Sequence, residues 1–242
     1  MTPLLHILYR ISDGGYAKQK LPWATKAHCL DNFLNVFGHE NLHVFADNCN
    51  DETLQMLKNK NVNIHLSNKG SSAQSWRMVA QYALQQFDLN DNVYFVEDDY
   101  LHWHNANNIL LEGLAIADYI TLYDHPDKYL PLQKGGNPLV KNNGENTKVI
   151  ITASTHWKHT NSTTMTFACS LQTLKNDWDI WDKYTRGTHP HDFKIFTRLT
   201  SHGSISNTIF GKSRTLISPL PAYSTHIEMA WLAPLRNWEV MK

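Results

Sequence analysis

The stretch Val93-Tyr94-Phe95-Val96-Glu97-Asp98-Asp99-Tyr100 decides how the rest of the chain is read. Four apolar or aromatic residues in a row are the composition of a strand covered on both faces, and three carboxylates follow without a break. Carboxylates at that density repel one another, so they persist only where solvent or a cation sits among them. Open α/β sheets place ligands at the carboxyl ends of their strands, which makes this strand end a candidate hard-metal site. An acidic loop that merely follows a strand has the same composition.

Upstream, Leu4-Leu5-His6-Ile7-Leu8-Tyr9-Arg10-Ile11 is a short apolar run that stops at Ser12-Asp13-Gly14-Gly15, a buried first strand entering a turn. Residues 24–37 carry Ala27, Leu30, Phe33, Leu34 and Phe37 at helical spacing, with Gly38 as the stop. His43-Val44-Phe45-Ala46 predicts a second strand tipped by Asp47-Asn48, followed by a helix over 51–60 opened by Asn50 or Asp51. A third strand over 62–66 and a helix over about 75–87 deliver the chain to Val93. Strands alternating with helices are the pattern of a parallel, doubly wound sheet.

Downstream the pattern changes. Residues 106–118 predict a helix, 119–123 a short strand, and 124–148 a long loop rich in Pro and Gly. The stretches 148–154 and 163–170 are β-rich and are expected to pair antiparallel, with helices over 171–184 and 193–201. A last strand over 215–218 is expected to stop before Pro219 and Pro221.

With 242 residues, 42% of them apolar, the chain is long enough for one α/β domain with a substantial core. Its 22 basic and 22 acidic side chains cancel, which argues against a phosphate-tracking nucleic-acid surface. Cys29, Cys49 and Cys169 are odd in number and widely spaced, so reduced thiols and a cytoplasmic setting are expected. The opening Met1-Thr2-Pro3-Leu4-Leu5-His6 has no signal-peptide pattern, and no run of eighteen apolar residues predicts a membrane span.

The chain resembles the nucleotide-diphospho-sugar glycosyltransferases of the GT-A type, similar to family 2-like bacterial and viral members. The resemblance rests on Tyr94-Phe95-Val96-Glu97-Asp98-Asp99, which matches a D-x-D signature with Glu in its first place. It rests also on the first strand's Tyr9-Arg10-Ile11-Ser12 end, and on Thr121-Leu122-Tyr123-Asp124-His125-Pro126 followed by Ser162-Thr163-Thr164-Met165-Thr166-Phe167. It implies one α/β domain over 1–242: a mostly parallel, Rossmann-like central sheet, a nucleotide-binding half to about residue 105, and a smaller antiparallel acceptor-binding part over 106–242. It implies donor contacts from Tyr9, Arg10, Ser12, Asp47, Ser75, Arg77 and Asp98, with Arg77 able to reach phosphate or a D-x-D carboxylate. Mn²⁺ or Mg²⁺ would be held by Asp99, by His226 near the C-terminus, and by Glu97. Because neighbours along a strand alternate in direction, Glu97 and Asp99 are expected to face the same way and share that task.

The activity implied is metal-dependent, inverting transfer of a sugar from a nucleotide-diphosphate donor to a hydroxyl of a glycan or glycolipid. The metal would neutralise charge developing on the departing diphosphate. A carboxylate is needed to take the acceptor's proton, and Asp192 is the candidate base, although His191 precedes it where the family carries a second acid. Two alternatives share the fold. A nucleotidyltransferase would want a glycine-rich basic loop directly after the first strand, whereas here the lysines come later, at Lys18 and Lys20. A sugar-binding module would keep the fold without the chemistry. The fourteen histidines include His102, His104, His156, His159, His189 and His191, but none has zinc-helix spacing. Trp157, Trp178 and Trp181 are candidates for a sugar-stacking platform or for core, and Gly135-Gly136 for a lid hinge.

Overall fold

The computed structural model of the chain describes residues 3–15, 18–142 and 144–242. Met1 and Thr2, which belong to the N-terminal reading, and Asn143, within the long loop, lie outside the described residues. The first half folds as β1 (Leu5–Ser12), α1 (Lys26–Phe37), β2 (Leu42–Asp47), α2 (Asp51–Asn59), β3 (Asn63–Ser67), α3 (Ser72–Gln86) and β4 (Asn92–Glu97). Its helices begin where short polar side chains satisfy an orphan N–H: Thr25 accepts from His28, Asn50 from Thr53 and Ser71 from Gln74. The Ser71 cap starts α3 three residues ahead of the expected position 75.

β1 to β4 are mutually parallel, in the order β3-β2-β1-β4. Along β4, Val93 and Phe95 enter a cluster with Trp76, Phe167 and Trp181, while Tyr94 and Val96 enter a second with Phe33, Leu110 and Trp157. The strand is therefore covered on both faces, as its unbroken apolar run requires.

The second half supplies β5 (Tyr100–His102), α4 (Ala106–Leu114), β6 (Tyr119–Ile120), β7 (Val149–Ile151), β8 (His156–His159), β9 (Phe167–Ser170), α5 (Leu171–Asn176), α6 (Trp178–Tyr184), α7 (Asp192–Leu199), α8 (Ile205–Phe210), β10 (Leu216–Leu220) and β11 (Ser224–His226). Among the described residues the main sheet continues from β4 through β9, β6, β10 and β8 to β7, and β5 pairs with β11 in a second, antiparallel sheet. The protein is thus an α/β fold whose parallel half is extended by mixed strands. No described helix is long and apolar enough to cross a membrane.

Three features differ from expectation. The β-rich segments 148–154 and 163–170 do not pair with each other: β7 pairs with β8, while β9 inserts antiparallel between β4 and β6. All of β9 except Ser170 is buried there, a demand of tertiary packing that local alternation does not reveal. The expected helix over 171–184 is broken at Asp177, whose buried carboxylate accepts hydrogen bonds from Tyr119 and Arg214. β10 runs through Pro219, because β6 has ended at that level and the proline faces only β8.

The long loop 124–148 is tied down by buried polar groups. Lys158 sits between Asp124 and Glu145 at 2.8 Å from each, and Lys128 donates to Ser162 at 2.7 Å. Asn137 donates to Asp127, Asn161 and Ser162. Gly135 (φ 87°) and Gly136 shape this loop by close approach: a Cβ at Gly136 would lie 2.0 Å from the Leu130 carbonyl oxygen, and one at Gly135 2.8 Å from the Trp231 ring.

Candidate functional site

β4 ends at Glu97, the chain turns over Asp98-Asp99, and it re-enters as β5 against β11. The register pairs His226 with Tyr100, which sets the His226 imidazole beside Asp99. Nε2 of His226 lies 3.1 Å from Oδ2 of Asp99, and Nδ1 accepts from the Glu228 backbone N–H at 3.0 Å. Two lysines from the loop after β1 converge on the same carboxylate oxygen. Lys18 Nζ is 3.3 Å from Asp99 Oδ2 and equally 3.3 Å from His226 Nε2, and Lys20 Nζ is 3.4 Å from Asp99 Oδ2. Burial works to raise the Asp99 pKa, but His226 and the two ammonium groups outweigh it and hold the carboxyl well below its usual range.

The other two acids of the strand end part company with Asp99. Glu97 accepts from Arg10 Nη2 at 2.9 Å, while Arg10 Nη1 donates to the Ser72 carbonyl. Asp98 accepts from the Ser12 backbone N–H at 3.1 Å and lies 3.8 Å from Lys26 Nζ. Burial, then the adjacent Asp99 charge, pushes the Asp98 carboxyl up. Glu97 and Asp99, expected to share one task, thus meet different partners, Arg10 for the one and Lys18, Lys20 and His226 for the other. Strand geometry stops at Glu97, so the two-residue alternation does not extend to Asp99.

This arrangement bears directly on the expected divalent metal. A metal at His226 Nε2 needs the lone pair there and the imidazole hydrogen on Nδ1. Here Nδ1 is the acceptor, so the neutral ring carries its hydrogen on Nε2 and donates it to Asp99. The space between the two is faced by the Lys18 ammonium, and Glu97 is engaged by Arg10. Among the described residues no group of three or more His, Cys, Asp or Glu side chains is arranged to hold a metal ion. As arranged, the donor set does not fit a hard divalent cation, which wants several free oxygen ligands.

A cleft of about 420 Å³ opens over these groups, lined among others by Lys18, Glu97, His189, Asp192, His226 and Trp231. Asp192, the first residue of α7, thus faces the same space as the β4 end. One of its oxygens accepts from the Phe193 N–H at 2.7 Å. Burial, and then the nearby Glu97 charge, raises its pKa to about 6.

Several expected contacts lie elsewhere. Tyr9 is fully buried against Phe33 in the core, and burial pushes its hydroxyl pKa far up, so it offers no surface to a nucleotide base. Asp47 at the tip of β2 is buried and accepts from Ser67 Oγ and the Lys69 N–H, fastening the loop after β3. Ser75 is buried within α3, while Ser72 of the same helix reaches the cleft. Arg77 forms an ion pair with Asp182 of α6 rather than meeting a D-x-D carboxylate; Arg10 does that instead. Trp157 and Trp181 are fully buried, and Trp178 packs against the core. His102 is buried and bonded to the Tyr94 hydroxyl at 2.7 Å.

Sequence reasoning gave no site role to Lys18, Lys20 and Lys26 and did not single out Trp231. The signal for Lys18 and Lys20 was their spacing just past the Gly14-Gly15 turn, two residues apart. Trp231, from the segment after β11, borders the cleft with His125 at 5.2 Å between rings and Gly135 beneath it. An aromatic face in the cleft is thus present, contributed by a different tryptophan from those expected.

No protein-family model matches this sequence, and no curated protein matches it significantly. Among solved structures, 4-diphosphocytidyl-2C-methyl-D-erythritol synthase from Anaerococcus prevotii is similar at 9% identity and a TM-score of 0.49, covering 99% of this chain and 94% of that one. CMP:2-keto-3-deoxy-manno-octonic acid synthetase in complex with CTP is similar at 12% identity and a TM-score of 0.48, covering 89% and 88%. The galactosyltransferase LgtC, in complex with donor and acceptor sugar analogues, is similar at 10% identity and a TM-score of 0.46, covering 91% and 86%. Likenesses at this level decide neither ligand nor reaction.

Proposed function

We propose that this chain transfers a sugar from a nucleoside-diphosphate donor to a hydroxyl acceptor on a glycan or glycolipid, with inversion at the anomeric carbon. The observation that carries this reading is Asp192, a carboxylate with its pKa raised to about 6 that lines the same cleft as Lys18 and the Glu97 end of β4. Above that pH it is ionised and still basic enough to take a proton, the balance general-base catalysis needs. As the acceptor oxygen bonds to the anomeric carbon, its proton passes to Asp192, and the bond to the diphosphate breaks with its electron pair leaving on the phosphate oxygen. Trp231 offers the acceptor sugar an apolar face. Arg10 holds Glu97 at the floor of the cleft and keeps that wall fixed.

A panel of UDP-, GDP-, CDP- and dTDP-sugars tested by thermal shift identifies the donor, since a ligand that binds only the folded chain raises its midpoint. The reading requires that one of them bind and be turned over with release of nucleoside diphosphate.

One observation favours nucleotidyl transfer as a second reading. The loop after β1 carries Lys18 and Lys20 into the site, the basic element such an enzyme needs beside a triphosphate. Its sugar-phosphate nucleophile is already an anion and requires no base, so Asp192 would then be dispensable. Release of pyrophosphate from a nucleoside triphosphate, undiminished in Asp192→Asn, would establish this reading over the first.

A further inference from the structure

We infer that Lys18 and Lys20 supply, at the Asp99–His226 pair, the positive charge expected from a divalent metal, so that the donor diphosphate is bound and its departure assisted without one. This inference rests on the nucleotide-sugar reading and specifies how its phosphate site works.

Three features support it. The Lys18 ammonium donates to the Asp99 oxygen at 3.3 Å and lies 3.3 Å from His226 Nε2, whose hydrogen is directed at that same oxygen. Lys20 approaches the same oxygen at 3.4 Å, so two positive charges meet one buried carboxylate that is also hydrogen-bonded to His226. The two ammonium groups thus gather at one carboxylate oxygen, and Lys18 lines the cleft beside it. Lys18 also forms an ion pair with Glu228 at 3.9 Å, so the lysine is held between two carboxylates. Finally, the Glu228 N–H fixes His226 with its hydrogen on Nε2, a state that donates to Asp99 and cannot ligate a metal at that atom.

In this arrangement Asp99 acts as a tether. It holds the two lysines at the end of β4, and His226, which lines the cleft, donates to it. An incoming diphosphate offers oxygens to the same ammonium groups in the geometry of charge-assisted hydrogen bonds. When the anomeric carbon–oxygen bond breaks, the leaving diphosphate gains one negative charge, and the ammonium hydrogens already directed at it strengthen their bonds. The charge balance is met by side chains, and no additional reactant enters.

The test compares nucleoside diphosphate binding, with UDP, GDP, CDP and dTDP as probes, in EDTA and in Mn²⁺. The full-length chain, Lys18→Ala, Lys20→Ala, the double variant and Lys18→Arg are measured by thermal shift and titration calorimetry, with Mn²⁺ alone as a further probe. The expected result is that one diphosphate binds equally well in EDTA and in Mn²⁺. Each alanine variant should weaken that binding by about tenfold or more, with Lys18→Arg recovering part of the loss. Circular dichroism reports that the variants remain folded, which is expected for partly exposed loop residues. Binding that appears only with Mn²⁺, or that is unchanged in the double variant, overturns the lysine assignment while leaving the transferase reading intact. Failure of every nucleotide in both conditions overturns the transferase reading, and this inference with it.

Discussion

Asp192 and Glu97 share one cleft and have opposite tasks. Glu97 is compensated by Arg10, whereas Asp192 is held by one backbone N–H and is otherwise desolvated, which is why its pKa rises to about 6. A base must be deprotonated to act, so turnover should climb as pH rises through about 6 and level off above it. Asp192→Asn keeps the shape and removes the basicity. It should lower kcat by about 10²- to 10⁴-fold with donor affinity retained, as steady-state kinetics alongside calorimetry would show. Loss of donor affinity equal to the loss of kcat would instead mean that Asp192 positions the donor. At the same scale, Arg10→Met leaves the half-buried Glu97 without its cation. That change should lower stability by about 1–3 kcal/mol, measured from the shift in urea midpoint.

At the scale of elements, the 124–148 loop forms one wall of the site because buried groups fix it there. Lys158 lies almost fully buried between Asp124 and Glu145, and removing it strands two buried carboxylates. Lys158→Met should therefore destabilise by about 3–5 kcal/mol, read from chemical denaturation, far more than loss of an exposed ion pair would cause. Gly136→Ala attacks the same loop through sterics, since the new methyl would overlap the Leu130 carbonyl oxygen. The loop must shift to admit it. Because Trp231 packs on the adjacent Gly135, tryptophan fluorescence should change together with a lowered melting point. A variant with native melting and native fluorescence would show that the loop carries no such packing.

Across the whole molecule, electrostatics divides between the two ends of the sheet. The carboxyl ends of β1 and β4 gather acids and lysines, while His43 and His65 meet 3.3 Å apart on β2 and β3, away from the cleft. Burial, and then His65 and His6, lower the His43 pKa to about 4, and burial lowers that of His65. An unfolded histidine takes its proton near pH 6.5, so the unfolded chain binds more protons below that pH. The contribution of this pair is full above about 6.5 and is lost as pH falls toward 4. Asp98 and Asp192, whose pKa values are raised, contribute in the opposite sense over the same range. A His43→Gln/His65→Gln variant isolates the histidine part. Its melting point should fall less between pH 7.5 and pH 5 than that of the unaltered chain, and an equal fall would exclude the pair as the source.

The sequence by itself determined the parallel half of the fold. Apolar runs of strand length, helical spacing in α1 to α3 and cap residues such as Thr25, Asn50 and Ser71 are local signals, and they act within a few residues. It also marked the acidic end of β4, because a buried strand that ends in carboxylates is unusual whatever surrounds it, whereas His226 and Asp192 were named only through the resemblance to GT-A glycosyltransferases. The tertiary structure alone decided what those groups meet. The insertion of β9 between β4 and β6 and the pairing of β5 with β11 join segments far apart in the chain, and long-range register is set by packing rather than by local pattern. The same register brings His226 to Asp99, and the loop after β1 carries Lys18 and Lys20 there from about eighty residues upstream. The cation that the carboxylates of Glu97, Asp98 and Asp99 demanded could be anticipated from electrostatic repulsion alone. That its place beside Asp99 is taken by lysine ammonium groups, while Arg10 serves Glu97, depends on three-dimensional proximity that no local stretch of sequence encodes.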